Sequence, residues 1–436
     1  MKASTTEAPA ADTGPRAGLK LRAVVSGSIG NLLEQYDNLV YAYSTVYLSA
    51  AFFSGGGSVS SLLSTFAVFA VGFLARPLGT VFFGHIGDKL GRRPALLASV
   101  ILMGSATVLI GLLPGYGTIG VAAPVLLVVL RLFQGFAVAG EWAGSAAMLV
   151  EYATEGTRGR FGSLNQVSTA AGFLVAAGVV ALNSLLWSEQ GMQGFGWRVP
   201  FLVGAVTAVV ALLLRFGLED TPAFREQEAA GETSASPLRL ALRTQKSAMA
   251  RGFFFTVSWT VAYFFFLTYL PTHLREEVGI DPGIVEASNI VGLVVLTVAI
   301  FGFGVLSDRI GRKPLLLTGS GGLVLLSYPA LLVFQTGNPA GVFLGQILIG
   351  LIIAAFSGPG PAALAELFPT NVRYSALGIG YNFSVMAFGG TAGFIATLII
   401  DRTGNAVAVA LLPTFAALIT FVTVCRMPET YRTELK

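Results

Sequence analysis

Charge is scarce in this chain. Only 11 % of its 436 residues are Asp, Glu, Lys or Arg, where an ordinary soluble domain has about a quarter. Apolar residues make up 54 % and the mean hydropathy is +0.73, so a soluble enzyme is not expected. Cysteine occurs once, as Cys425, which rules out a disulfide within the chain and a cysteine metal centre. The two histidines, His85 and His273, lie in a loop and at the outer end of an apolar run. No apolar run carries His, Cys and acidic residues at metal-ligand spacing, so no metal and no cofactor is expected. A Gly-x-x-x-x-Gly-Lys-(Ser/Thr) phosphate loop and a nucleophile constellation are both missing, which argues against an enzyme. The opening stretch has no short apolar segment with a small-residue cleavage site, so it does not read as a signal peptide. It is rich in Ala, Thr and Pro and is expected to be a disordered cytoplasmic tail over residues 1–19.

Apolar runs fill most of the remainder. About twelve stretches reach the ~20 residues needed to cross a bilayer: 24–49, 60–84, 94–114, 119–147, 162–184, 197–217, 252–273, 285–306, 314–334, 339–361, 374–400 and 405–425. A polar break at 218–250 separates a first bundle, 20–217, from a second, 251–426, followed by a tail at 427–436. Basic residues gather at Lys20 and Arg22, at Lys89, Arg92 and Arg93, at Arg158 and Arg160, around Arg243 and Lys246, at Arg309, Arg312 and Lys313, at Arg373 and after Arg426. These are alternate loops, so the positive-inside bias puts both termini and the central break in the cytoplasm. Orientation then accounts for the net charge of +4, and nucleic acid is not an expected partner.

The chain repeats itself. Gly84-His85-Ile86-Gly87-Asp88-Lys89-Leu90-Gly91-Arg92-Arg93 returns as Gly304-Val305-Leu306-Ser307-Asp308-Arg309-Ile310-Gly311-Arg312-Lys313, and the pair Glu151 and Arg158 returns as Glu366 and Arg373. The offsets are 220 and 215 residues. Two echoes in one order indicate duplication. The predicted fold is an all-α membrane protein of twelve transmembrane helices in two pseudo-symmetric six-helix bundles around a central site.

These loops resemble the major facilitator superfamily, whose marker Gly-x-x-x-Asp-(Arg/Lys)-x-Gly-Arg-(Arg/Lys) lies between spans two and three and again between eight and nine. Within it the chain looks like a metabolite:proton symporter, the group that includes carriers for 2-oxoglutarate, citrate, shikimate and proline or betaine. The likeness runs through Gly30 to Asp37, Arg76-Pro77-Leu78-Gly79, Arg131-Leu132-Phe133-Gln134-Gly135, Gly140-Glu141-Trp142, Trp197 to Phe201 and Ala365-Glu366-Leu367-Phe368-Pro369. It implies alternating access in a bacterial inner membrane, protons as the coupling ion, a small-molecule substrate, contact with membrane lipids and a monomer as the working unit. It also implies that Asp37 and Arg131 are the proton-coupling pair. The repeated loops would form a cytoplasmic gate, with Asp88, Arg92, Glu151 and Arg373 in one cluster and Asp308, Arg312, Glu366 and Arg158 in the other.

The residues support part of this independently. An ionised carboxylate in lipid costs kilocalories, so Glu34 and Asp37 in the first span should face a cavity or a partner. Asn31, Glu34, Asn38 and Tyr41 form a polar stripe at helical spacing, and Glu34 is the main rival of Asp37 as proton carrier. Arg131 lies about 12 residues, or ~18 Å, into span four, a depth at which it can meet Asp37. Glu141, about 15 Å further along that helix, is not its expected partner. Arg76, within span two, suits an anion or a pairing with Glu34; Arg198 at a helix start reads more as a headgroup anchor. Span seven is aromatic, with Trp259, Tyr263 and Phe266 on one face as a cavity wall. Such a wall suits an anion with an apolar part beside Arg76, or a betaine by cation–π contact beside Glu34. Gln134, Tyr381 and Asn382 complete the candidate substrate contacts. The leading expectation is proton-driven uptake of a small organic acid, since Arg76 and Arg131 both reach the midplane. Proline or betaine uptake is the first alternative, followed by an efflux antiporter and a non-transporting membrane receptor.

Overall fold

The computed structural model describes residues 17–53, 58–90, 92–138, 141–216, 242–433 and 435. Among them the chain is helical, with no strand. Ten helical segments are long and apolar enough to cross a membrane. With Ala17–Tyr43 as α1 and Arg92–Leu112 as α3, they complete a set of twelve. The ten are α2 (Ser60–Phe83), α4 (Ala122–Tyr152), α5 (Arg158–Leu186), α6 (Gly196–Leu213), α7 (Lys246–Glu276), α8 (Pro282–Ile310), α9 (Arg312–Gln335), α10 (Pro339–Ala365), α11 (Ser375–Thr403) and α12 (Ala408–Arg426).

The duplication is visible in which helices pack together. In the first half α1 packs on α5 and α6, α3 on α4 and α6, and α2 on α4. Adding six to each number gives the second half: α7 on α11 and α12, α9 on α10 and α12, and α8 on α10. The halves meet through α5 against α8 and α2 against α11, which the same shift exchanges. Two six-helix bundles related by a pseudo-twofold axis produce this pattern.

Small residues allow the close crossings, since apolar helices in lipid gain from van der Waals packing more than from burial as such. A Cβ on Gly135 of α4 would overlap the carbonyl oxygen of Gly72 in α2, so any side chain there would drive the two helices apart. Gly311, between α8 and α9, has φ 98° and gives the repeated loop its sharp reversal.

Three boundaries differ from the sequence expectation. Helix α1 begins at Ala17, so the last residues of the expected 1–19 tail lie in its first turn. Helix α7 begins at Lys246, so the last part of the expected 218–250 linker is its first turn and a half; residues 217–241 and the start of the N-terminal tail, 1–16, lie outside the described residues. The segment after α12 is not a free tail. Glu429 accepts the backbone N–H groups of Arg312 (3.0 Å) and Lys313 (2.9 Å) at the start of α9, where free amides and the helix dipole favour a carboxylate.

Helices α7 and α11 each change pitch at mid-height, with π-turns at Tyr263–Tyr269 and Val385–Gly389. A wide turn inserts one residue into the 3.6 repeat. The face expected to carry Trp259, Tyr263 and Phe266 together is therefore broken after Tyr263.

Candidate functional site

The centre of the first half holds four charged side chains: Glu34 and Asp37 on α1, Arg76 on α2 and Arg131 on α4. Arg131 is 1 % exposed. It donates to Gln134 Oε1 (2.8 Å) and the Phe69 carbonyl (3.4 Å), and its guanidinium lies over Tyr41 at 4.5 Å and Phe69 at 4.9 Å. Gln134 in turn donates to Thr107 Oγ1 at 2.8 Å. Asp37 points elsewhere, accepting from Thr207 Oγ1 of α6 at 3.1 Å. The expected Asp37–Arg131 ion pair is not formed among the described residues. Spacing along each helix does not fix rotation about its axis, which decides contact, and the two side chains find different partners.

Several polar residues of the expected stripe are tied into the bundle. Asn31 Nδ2 is shared among the Asn165 carbonyl (3.1 Å), Ser168 Oγ (2.8 Å) and Thr169 Oγ1 (2.9 Å) of α5. Tyr41 donates to the Thr65 carbonyl at 3.1 Å and stacks on Phe69. Gln134 has both ends of its amide engaged, as described above. Asn31, Tyr41 and Gln134 thus hold helices in register, because a buried polar group must find partners and these find them within their own half. Arg198 donates to the carbonyls of Gly111 (2.9 Å) and Leu113 (2.6 Å) at the end of α3, which makes it a helix cap.

Arg76 and Glu34 face the second half. Arg76 is 5 % exposed, lies 4.2 Å over the Phe73 ring, and is within electrostatic range of Glu34 and of the Tyr381 hydroxyl. Tyr381 stacks on Trp142 of α4 with centroids 3.8 Å apart and planes within 5°. Trp259 of α7 meets the same indole edge-on at 5.6 Å. A chain of hydrogen bonds runs from Trp142 Nε1 to Gln166 Oε1 (2.8 Å), from Gln166 Nε2 to Tyr263 (2.9 Å) and from Tyr263 to Ser357 (3.2 Å), linking α4, α5, α7 and α10. Asn382 donates to Thr80 Oγ1 of α2 at 3.3 Å. The structure therefore gathers Arg76, Glu34, Trp259, Tyr263, Tyr381 and Asn382 at the junction of the halves. Trp142 and Gln166 belong with them; Trp142 was quoted only as part of the Gly140-Glu141-Trp142 likeness, and neither was named as a site residue. Trp142 was visible as the one large residue in a run of small ones; Gln166 carried no signal.

The second copy of the repeated loop joins the first half at one end of the bundle. Asp308 accepts the backbone N–H groups of Gly159 and Arg160, each at 2.8 Å, so an acid of the second half caps the first turn of α5 in the first. Arg312 holds Asp308 at 2.8 Å and reaches Glu366 at 3.4 Å; Arg158 reaches Glu366 at 3.9 Å. Burial raises the Glu366 carboxyl above its ordinary value, opposed by Arg312, Thr430 and Arg158. In the other cluster Arg373 pairs with Glu151 at 2.7 Å. The side chains of Asp88, Arg92 and Glu141 lie outside the described residues. At the opposite end the halves are also joined: Ser184 donates to Glu286 (2.9 Å), Tyr43 to the Leu267 carbonyl (2.8 Å), and Arg275 lies 3.8 Å from Glu189. Among the described residues, contacts therefore join the halves at both ends.

The family model described as Major Facilitator Superfamily matches residues 27–393. The chain belongs to the major facilitator superfamily. This facilitator is similar to the putative proline/betaine transporter of Staphylococcus aureus (strain COL), with 33 % identity over 407 residues, covering 92 % of this chain and 87 % of that one. It is similar to the proline/betaine transporter of Escherichia coli (strain K12), 33 % identical over 430 residues with 96 % and 85 % covered. A third relative, the glycine betaine/proline/ectoine/pipecolic acid transporter OusA of Dickeya dadantii (strain 3937), is 34 % identical over 432 residues, with 95 % and 84 % covered. Among solved structures it superposes on the proton:xylose symporter XylE bound to 6-bromo-6-deoxy-D-glucose with a TM-score of 0.77 at 16 % identity, covering 97 % of this chain and 98 % of that one. At that identity the likeness speaks for the fold alone; the family model and the transporter relatives are what make the chain a membrane transporter.

Proposed function

We propose that this facilitator takes up a small zwitterionic solute of the proline or betaine class, with protons as the coupling ion. The observation that carries the reading is the pairing of one buried cation with an acid and an aromatic cluster at the junction of the halves. The organic-acid expectation rested on two arginines. Arg131 is already committed to Gln134 and Phe69, which leaves Arg76 for a carboxylate. The cationic end of a zwitterion has Glu34 close to Arg76 and the faces of Trp142, Trp259 and Tyr381, an arrangement that suits an ammonium by charge and by ring quadrupole. The names of the relatives support the same class.

Transport then follows from alternating access. Arg373 with Glu151, and Asp308, Arg312, Arg158 and Glu366 together, act as the inner gate; Glu286, Arg275 and Tyr43 with their partners act as the outer one. Each gate joins the halves at one end, so opening one while the other holds lets the bundles rock about the central site. The positive-inside pattern supports cytoplasmic termini, in a bacterial inner membrane, and a bundle pair that encloses its own site supports a monomer.

The test is a competition screen in proteoliposomes under an inward acid gradient. Proline and glycine betaine are expected to compete for uptake, and citrate, 2-oxoglutarate and shikimate are not. Uptake of an organic acid with neither zwitterion competing would reverse the assignment.

A further inference from the structure

Asp37 opens into a crevice of its own. Gly30, Leu33, Glu34 and Asp37, four positions on one face of α1, line it together with Ser99 and Met103 of α3 and Thr207 and Ala211 of α6. Its volume of about 20 Å³ is enough for a water molecule, and its acid and hydroxyl groups supply the polar partners such a water needs. Every lining residue belongs to the first half. Rocking of the two bundles therefore leaves the crevice intact, whereas it must open and close the central site between them. From Asp37 the walls run toward the early turns of α3 and the late turns of α6, which is the face that carries the repeated basic loops.

One side chain touches both places. Glu34 lines the crevice with Asp37 and is also within electrostatic range of Arg76 and Tyr381 in the central site. Thr207 adds a second feature. Its hydroxyl has one hydrogen and two acceptors in reach, Asp37 Oδ1 at 3.1 Å and the Gly204 carbonyl at 2.9 Å. With Asp37 ionised the hydrogen stabilises the carboxylate; with Asp37 protonated it turns to Gly204, and the hydroxyl oxygen is left to accept from the acid. Both states are satisfied without moving the backbone. The groups facing Asp37 are otherwise uncharged, apart from Glu34 and the neighbouring Tyr36 on α1.

We propose that the proton and the solute leave this transporter by different routes, the proton passing from Glu34 in the central site to Asp37 and then down the crevice inside the first bundle to the cytoplasmic face. Glu34 takes a proton from hydronium on the outer side while the solute site is open there. It yields that proton to the Asp37 carboxylate through crevice water, and Asp37 releases it to water on the inner side, so each carboxylate returns to its ionised form. Glu34 is the gate for the proton, being the one lining residue in range of the solute site, and Thr207 is a positioning residue. This inference rests on the reading of the protein as a proton-coupled zwitterion carrier.

The experiment replaces Cys425 with serine and introduces Ser99→Cys or Ala211→Cys on the crevice wall. A membrane-impermeant cationic methanethiosulfonate is applied to the cytoplasmic side of oriented proteoliposomes. Gradient-driven accumulation and counterflow of labelled proline or glycine betaine are then compared. Modification is expected to lower accumulation at least tenfold and to leave counterflow within about twofold, which also shows that the protein is folded. Thr207→Val is expected to shift the pH midpoint of accumulation with counterflow KM unchanged, and Thr207→Ser to restore it. Equal loss of counterflow after modification would place the crevice on the solute route and overturn the proposal. So would unimpaired accumulation after complete modification of both cysteines, provided Asp37→Asn abolishes it. Wild-type accumulation by Asp37→Asn would instead overturn the coupling reading beneath the proposal, and the proposal with it.

Discussion

The two halves of this transporter agree at their ends and differ at their centres. The repeated loops keep the same pattern of Gly, Asp and basic residues, and in the second copy Asp308 and Arg312 join Arg158 and Glu366 across the interface. At mid-height the first half buries Asp37, Arg76 and Arg131 and half-buries Glu34, whereas the corresponding level of the second half is aromatic: Trp259, Tyr263, Phe264, Phe265 and Phe266 on α7, and Tyr381 on α11. Duplication supplies two gate elements that must work alike, since each closes against the other half. The centre has no such constraint. Charge on one side and ring faces on the other give a small zwitterion two unlike walls, which two identical halves could not.

The sharpest way to break that comparison is to take the charge from the first half alone. Asp37→Asn is expected to reduce proton-driven accumulation by more than about tenfold, with exchange across the membrane retained, because exchange does not require proton release in each cycle. Accumulation and counterflow measured on the same vesicles decide it. Equal loss in both would mean that Asp37 holds the bundle together through Thr207 and has no separate part in coupling.

Arg76 comes next. A hydrogen bond to a charged group contributes about 1.5–3 kcal/mol, so Arg76→Ala is expected to weaken apparent affinity for the zwitterion by about ten- to a hundredfold. Arg76→Lys should recover part of this, since it restores charge without the two-pronged guanidinium. Wild-type KM in both variants would leave Arg76 as a structural neighbour of Phe73. On the aromatic side the expected effect is smaller. Cation–π contact contributes about 0.5–2 kcal/mol, so Trp259→Leu should raise KM for glycine betaine by about three- to thirtyfold, with Trp259→Phe restoring most of it. A larger loss from Trp259→Leu than from Arg76→Ala would invert the division of labour between the halves.

How much of this was readable in the sequence depends on which physical quantity was needed. The charges within apolar runs and the duplication were legible, because a charge in an apolar run and a loop returning after 220 residues need no three-dimensional information. The gate partners Arg158, Arg312 and Glu366 came from the resemblance to the superfamily, with the repeated Glu–Arg spacing as support. Rotation was not legible. Asp37 faces Thr207 and Arg131 faces Gln134 because of how α1, α4 and α6 turn about their axes, and that is set by packing contacts such as Gly72 against Gly135. The π-turn in α7 displaced the expected aromatic stripe, since pitch cannot be read from a run in which nearly every residue is apolar. Glu429 was missed because a single acid in a polar tail looks solvated until α9 is seen to begin beside it.

The smallest effect concerns the gate and tests whether the shared ends of the halves respond to pH. Glu366 is packed among Arg158 of α5, Arg312 of α9, Thr430 of the tail and, through Arg312, Asp308 of α8. Burial there raises its carboxyl above the ordinary value of 4.5, while opening the gate would return it to water and toward that value. The closed form thus binds the proton more tightly than the open one. By linkage, acidification must favour closure. The gain begins as pH falls through the raised value of the closed form and is complete below the ordinary one; raising the pH above that window removes it. Distances between paired spin labels across the cytoplasmic ends, measured in lipid at a series of pH values, should show a modest rise in the closed fraction on acidification. Glu366→Gln is expected to flatten that dependence, since the side chain can no longer titrate. An unchanged pH response in Glu366→Gln would assign it to another group of the gate, and a closed fraction that falls on acidification would mean that loss of the Arg312 and Arg158 contacts outweighs relief of the buried charge.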